Sequence, residues 1–249
     1  MLRQSEAIVL RTTPFSEADL IVTTLTLDYG VIKAFAKSPR KTKSRFGSSL
    51  EPLTYSKIAF WGREDANLPR LTQSDIIKPF QTIRDRMDCF FRVAEMVELT
   101  LNLLPEREAH RDIFRLFLSI LTMIESDSPE DDSSALAVLL YKIRSLDLAG
   151  YGPRLEGCAR CGKAGYNFYI SHGSIVCGLC AKGMDTPMRL SPGVIKTYDT
   201  LRRWDMAKID RIKLSRMILS ELSVMLDTHI RYTVARPMRT KSFKTNPKL

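Results

Sequence analysis

Two cysteine pairs, Cys158-Ala159-Arg160-Cys161 and Cys177-Gly178-Leu179-Cys180, stand fifteen residues apart, and no other feature restricts the fold of this chain so sharply. Two residues between thiolates let a tight turn present both sulfurs to one ion, and two such turns complete a tetrahedron at zinc–sulfur distances of about 2.3 Å. Reduced buried thiols or a redox pair fit the same letters. Read as a metal site, four thiolates leave no position for water, so the Zn2+ is structural: it braces a loop and activates no nucleophile. Gly162, behind the first pair, and Gly178, inside the second, supply the conformational freedom that such turns use. His172, between the pairs, is an alternative ligand and reads better as an exposed loop residue. The fifth cysteine, Cys89, falls on an apolar helical pattern and reads as core. An odd count of cysteines makes a poor disulfide framework and suits a reducing compartment.

The rest of the chain divides by period. Short runs rich in β-branched and aromatic residues recur at Ala7 to Thr12, Leu20 to Leu27, Val31 to Lys37, Leu53 to Trp61 and Leu71 to Ile77. Pro14-Phe15-Ser16-Glu17, Asp28-Tyr29-Gly30 and the stretch from Gly62 to Pro69 separate them as turns. Five short strands without a long helix predict a small Greek-key barrel of the OB type over residues 1–80, with a small sandwich as the alternative. After Pro79 the period becomes helical. Phe90, Val93, Ala94, Val97, Leu101 and Leu104 form one apolar stripe, and Ile113, Phe114, Phe117, Leu118, Leu121 and Ile124 form another. A third helix runs from about Ser133 to Leu148, capped by Asp131 or Asp132 and stopped at Gly150. Ser191-Pro192 opens a fourth, and Leu214 to Tyr232 supplies the last. The expected fold class is α+β and multi-domain: an N-terminal OB-type β-barrel, then an α-helical domain over 81–249 with the four-cysteine zinc element inserted at about 153–187.

Charge narrows the choice of partner. The net charge of +10 favours an anionic one, but its distribution says more than its sum. From Asp85 to Ser134 twelve Asp or Glu stand against five Arg and no Lys, so the basic excess lies elsewhere. Lys33, Lys37, Arg40, Lys41, Lys43 and Arg45 follow one another with no acid between them, as do Arg231, Arg236, Arg239, Lys241, Lys244 and Lys248 near the end. The first six leave the third strand through a segment, Lys37 to Phe46, that adds hydroxyls and an aromatic. That is a phosphate-contact composition, whose affinity falls steeply with salt and carries little sequence information. Those six are the expected DNA-binding residues, with a solvated loop as the alternative. Phe35, Phe46, Tyr55, Phe60 and Trp61 offer rings for base stacking, although strand alternation must turn several of them into the core.

No catalytic constellation accompanies these features. Gly157 to Lys163 imitates a phosphate-binding loop, but Ala164 stands where the magnesium-binding Ser or Thr belongs, and two of its residues are metal-ligand candidates. The three histidines, His110, His172 and His229, come with no nucleophile elbow or metalloprotease motif, and His110 and His229 read as ordinary helix residues. An enzyme is therefore not expected. No run approaches the ~18 apolar residues of a membrane span, and no signal-peptide core follows the first residues. The expectation is a cytoplasmic protein without a membrane partner.

A family resemblance joins these parts. It rests on Ala7-Ile8-Val9-Leu10-Arg11, on Ser16-Glu17-Ala18-Asp19-Leu20-Ile21-Val22, and on Thr26-Leu27-Asp28-Tyr29-Gly30 leading through Ala36-Lys37 to Lys43-Ser44-Arg45-Phe46. Gly150-Tyr151 ahead of the cysteine pairs and Lys241-Ser242 near the end complete it. On these residues the chain resembles the RecO family of bacterial DNA repair and recombination mediators, over essentially its whole length. The resemblance implies an OB barrel, a helical domain and an inserted zinc element, whose four cysteines not every member retains. It also implies binding of single- and double-stranded DNA, annealing of complementary strands, engagement of the acidic C-terminal tail of the single-strand binding protein and, with RecR, loading of RecA, in the nucleoid-associated bacterial cytoplasm. The residues themselves leave a rival open, a zinc-stabilised adaptor that meets acidic protein tails and touches DNA only incidentally. A zinc hydrolase acting on nucleic acid is the third reading.

Overall fold

Between Leu2 and Lys78 the chain folds into strands that share one apolar interior. In the computed structural model, which describes residues 1–39, 44–63, 66–126, 133–205, 214–234 and 240, five strands form: β1 (Leu2–Pro14), β2 (Leu20–Thr26), β3 (Gly30–Ala36), β4 (Tyr55–Trp61) and β5 (Arg70–Lys78). They close in the order β1-β2-β3-β5-β4, antiparallel throughout except for a parallel contact of β3 with β5. Ala7, Val9, Val22, Ile32, Ala34, Ala36, Ile58, Phe60 and Leu71 fill the interior, joined by Phe46 and Leu50 from the segment after β3. Alanines at three of these positions leave the room that the Phe46 and Phe60 rings occupy, which is how a small barrel reaches close packing.

Side chains opposite one another in paired strands point to the same side, so the register also sorts the outer surface. Tyr55, Ile8, Leu25 and Val31 are successive partners and make one outward row. Ile8, Leu25 and Val31 are buried, and the Tyr55 ring meets Phe114 edge-on at 6.3 Å. That row lies under helix α3 (Arg111–Ser126), where Ile113, Phe114, Phe117, Leu121 and Ile124 of the expected stripe are buried; Leu118, also expected there, is only half-buried, and Leu116 and Ile120 are buried instead. Two further helices, α1 (Gln81–Asp85) and α2 (Met87–Leu103), complete this compact unit, Met1–Ser134. The short α1 is not foreseen by the sequence reading, and β1 starts five residues before the expected Ala7. Cys89 on α2 is fully buried, as expected of a core thiol.

The hairpin between β2 and β3 is pinned from both sides. Ser5 donates its hydroxyl to Asp28 at 2.9 Å, and Arg111 pairs with the same carboxylate at 2.9 Å. Gly30 takes φ +63°, and a Cβ built there would stand 1.8 Å from the carbonyl oxygen of Glu108, so glycine is required on two counts.

The second compact unit, Ala135–Leu249, holds the remaining elements. Helix α4 (Ser133–Leu148) ends at Gly150, whose φ of +80° is the left-handed stop foreseen for it. Its predicted N-caps, Asp131 and Asp132, lie outside the described residues. A three-stranded sheet in the order β7-β6-β8 follows, built from β6 (Asn167–Tyr169), β7 (Ser174–Ile175) and β8 (Met188–Arg189). Ser191 then caps α5 (Pro192–Arg203) by accepting from the Val194 amide at 3.3 Å, with Pro192 in the first turn. Ser215 does the same for α6 (Arg216–Thr233) through Ile218. Lys142 of α4, almost fully buried, pairs with Asp227 of α6 at 3.2 Å. Among the described residues no helix is long and apolar enough to cross a membrane.

Candidate metal centre and nucleic-acid interface

Both cysteine pairs sit on turns that their own backbones close. In the first, Gly162 donates to the Cys158 carbonyl at 2.8 Å and Cys158 donates to Lys163 at 2.8 Å. In the second, the Cys180 amide reaches the Cys177 carbonyl at 3.0 Å. The first turn is tied to β7 by the Ala159 amide, which donates to the Ile175 carbonyl, and the second turn is tied to the first by Arg160, which donates to the Cys180 carbonyl at 2.6 Å. Gly162 uses left-handed backbone, φ +73°; Gly178 does not, so one of the two expected glycines is needed for its conformation.

The four sulfurs of Cys158, Cys161, Cys177 and Cys180 lie within 4.8 Å of one another, and Cys161 and Cys177 are 3.7 Å apart. A tetrahedron with zinc–sulfur bonds of ~2.3 Å has sulfur–sulfur edges of about 3.8 Å, so the set fits a divalent soft-metal ion. Packed this closely, the four thiols do not all ionise unaided. The Cys177 amide directed at its sulfur lowers the Cys158 thiol to about 6, and the Cys180 amide lowers Cys177. Hydrogen bonding with the Cys177 and Cys161 thiols raises Cys180 to about 12. Four thiolates at this spacing need a cation, which a metal supplies. His172 is exposed, bonded to Ser171, and outside the sulfur cluster.

The sheet that carries the cysteines rests on His229 of α6. This side chain is buried, meets Phe168 edge-on at 5.9 Å and donates Nε2–H to the Tyr151 carbonyl at 2.8 Å, while Nδ1 has no partner. It is thus a helix residue, as the sequence suggests, turned into the core, whereas His110 precedes α3 and its backbone carbonyl accepts from the Phe114 amide. Burial lowers the His229 pKa below 6.5. The neutral ring is the folded form and the unfolded chain takes up a proton near 6.5, so this stability is present above that pH and lost as pH falls. Melting temperature is expected to drop as pH falls below 6.5. His229→Gln, which keeps a donor for Tyr151, should flatten that dependence; an equally steep profile in the variant would assign the effect to other groups.

The expected DNA contacts are spread differently from one another. Lys37 and Arg45 are exposed, and Arg45 lies 4.9 Å over the Phe46 ring. Arg40, Lys41 and Lys43 lie outside the described residues, as do Arg236 and the last basic residues from Lys241 on. Lys33 projects outward from β3 but pairs with Glu106, so its charge is already offset. Of the five aromatic residues considered for stacking, Phe46 and Phe60 are core and Tyr55 donates to Glu6, while Phe35 is half-buried and Trp61 is 59% exposed. Burial and the Glu6 bond push the Tyr55 hydroxyl up to about 12. Arg11 and Arg70, both exposed and outward, are not singled out by sequence; only the register puts Arg70 between β3 and β4.

In the second unit a groove of about 410 Å3 runs along α5, lined by Pro192, Ile195, Tyr198 and Asp199 with Gly157 and Tyr166. Its carboxylates are engaged: Glu156 with Arg202 at 2.7 Å and Asp199 with Arg203 at 2.8 Å. Lys196 is exposed and, among the described residues, has no carboxylate in pairing distance.

Comparison with known proteins agrees with this architecture. Residues 1–80 match the family model described as Recombination protein O N terminal, and residues 93–242 match Recombination protein O C terminal. The chain is 42% identical over 232 residues to the DNA repair protein RecO of Thermodesulfovibrio yellowstonii, covering 91% of each chain. It is 33% identical over 232 residues to that of Frankia casuarinae, covering 91% of this chain and 93% of the relative. The RecO protein of Dehalococcoides mccartyi strain 195 is 32% identical over 237 residues, 94% of this chain and 91% of its own.

Proposed function

The chain belongs to the RecO family of DNA repair proteins, and from that premise we propose that it is a non-enzymatic recombination mediator: it binds single- and double-stranded DNA, anneals complementary strands and helps load RecA onto strands covered by single-strand binding protein. In this reading the barrel is an OB-type DNA-binding domain, which its 1-2-3-5-4 order supports, and the helical remainder docks RecR and the acidic tail of the single-strand binding protein. The observation that carries it is the run of cations without acids that leaves β3, Lys37, Arg40, Lys41, Lys43 and Arg45, with Lys33 as a weaker member because of Glu106.

Annealing on this basis needs no bond-making step. Two phosphate backbones repel each other, and a cationic surface that offsets both lets complementary bases meet. A bound Zn2+ would be held by Cys158, Cys161, Cys177 and Cys180, and would supply cross-linking of two turns rather than Lewis-acid chemistry, since four thiolates fill its sphere.

The test is annealing of complementary oligonucleotides, naked and coated with single-strand binding protein, without nucleotide. The expected result is faster annealing in both conditions with the strands left intact. No acceleration of naked strands would reject the mediator reading, and shortened strands would revive a hydrolase. The groove along α5, with Lys196 unopposed, favours one second reading, an adaptor for acidic protein tails. Titration with single-stranded DNA against an acidic peptide at physiological salt separates the two, because the adaptor binds the peptide and not the DNA.

A further inference from the structure

The barrel's outward surface has a second row, which is exposed at Leu2, Trp61 and Arg70. Leu2 pairs with Trp61, Trp61 with Arg70, Arg70 with Phe35, and Phe35 with Ile21. Because direct partners share a face, these side chains stand side by side across β1, β4, β5, β3 and β2. Trp61 and Leu2 are 59% and 56% exposed, and Arg70 is exposed. Phe15, in the turn after β1 and 60% exposed, sets its ring edge-on against Phe35 at 5.6 Å and lengthens the row.

Two properties of this row select its occupant. Its rings are planar, and the exposed Trp61 indole stands with Leu2 and Phe15 as part of an exposed apolar strip rather than singly. Its cations are unopposed: among the described residues, Arg70 between the rings, Lys37 beyond Phe35 and Arg11 on the neighbouring row have no carboxylate in pairing distance. A purely apolar partner would leave Arg70 stranded, and a purely anionic one would leave Trp61 idle. A polyanion that carries planar groups satisfies both.

Resting on the DNA-binding reading above, we infer that this row is a stacking platform for unpaired bases, with one base on Trp61, another on Phe35 and the intervening backbone on Arg70. Two strand spacings, about 10 Å, separate Phe35 from Trp61. The consequence is discrimination. A duplex keeps its bases paired and stacked inside, and extracting one costs about as much as stacking it on a ring returns. The basic segment after β3 therefore holds either form of DNA, whereas the row rewards only the single-stranded form.

The test uses the full chain with Trp204→Phe, which leaves Trp61 as the sole indole of the two in the sequence. Oligothymidylate is expected to quench its fluorescence; inorganic polyphosphate, which has charge but no bases, is not. Trp61→Ala in the native chain should weaken oligothymidylate binding on the order of tenfold and leave polyphosphate and blunt duplex binding unchanged, with Trp61→Phe recovering most of the loss. The quench requires no disruptive substitution, so it decides the matter even if the alanine variant folds poorly. Binding of oligothymidylate without quench, or equal losses for single strand and duplex, would overturn the platform while the DNA-binding reading stands. If the native chain binds no oligonucleotide at all, that reading fails and takes the platform with it.

Discussion

A chain carrying Cys158→Ser and Cys177→Ser is expected to lose its bound metal and the order of the segment between α4 and α5. The apolar reserve of that segment is small: Cys158, Tyr169 and Val176 are buried together, with Cys177, Cys180, Ala181 and Met184 only partly covered around them. Two of its three strands have two residues each, β7 and β8, too short to hold a sheet by themselves. Structural zinc contributes roughly 10–16 kcal/mol of apparent binding free energy to isolated zinc modules near neutral pH, and here that binding is coupled to folding of the turns. Even a third of it, lost from a unit of this size, lowers the melting temperature on the order of 10 °C. Metal content should fall from one ion to none per chain, and the melting curve should shift down, as it should on treating the native chain with a strong chelator. The barrel belongs to the other compact unit, so the variant's oligonucleotide affinity should persist. A variant that keeps both its metal and its melting temperature would remove zinc from the account.

How far the sequence reaches is best seen where it stops. The cysteine spacing was sufficient to find the four sulfurs that cluster, because a four-cysteine group is a local signature repeated twice. Five strands and the longer helices were legible from period alone, and so were the caps at Ser191 and the stop at Gly150. The three short strands around the cysteines were not, since two or three residues hold no period. The residues proposed to face DNA divide in the same way. A run of like charges is visible in one dimension, but that Lys33 is spent on Glu106, seventy-three residues away, is a tertiary fact. The burial of Phe46 and Phe60 and the exposure of Trp61 depend on which side of the pleat faces inward. Arg70 gained its place between two rings from the parallel pairing of β3 with β5, which no local pattern announces.

Replacing Lys37, Arg40, Lys41, Lys43 and Arg45 together by Ala is expected to change DNA binding more than any other substitution outside the fold's supports. Each cation resting on a phosphate releases condensed counterions, so the slope of log affinity against log salt is about −0.7 per contact for a single strand and about −0.9 for a duplex. Five lost contacts flatten the single-strand slope by up to about 3.5, and at 0.1 M salt the same term corresponds to an affinity loss on the order of a thousandfold. Lys33→Ala should do much less, because its partner Glu106 already neutralises it; Glu106→Ala should release that charge and steepen the slope by somewhat under one contact. Exchanging the five for the opposite cation, Lys for Arg and Arg for Lys, should leave the slope in place, since the term depends on charge and not on side-chain shape. The row through Trp61, Arg70 and Phe35 makes the complementary statement. Trp61→Ala should reduce single-strand affinity with little change of slope, and the five-residue variant should reduce slope for both forms of DNA. A five-residue variant with native slope and native affinity would mean that the segment after β3 is only a solvated loop, and that the strand is held elsewhere on the molecule.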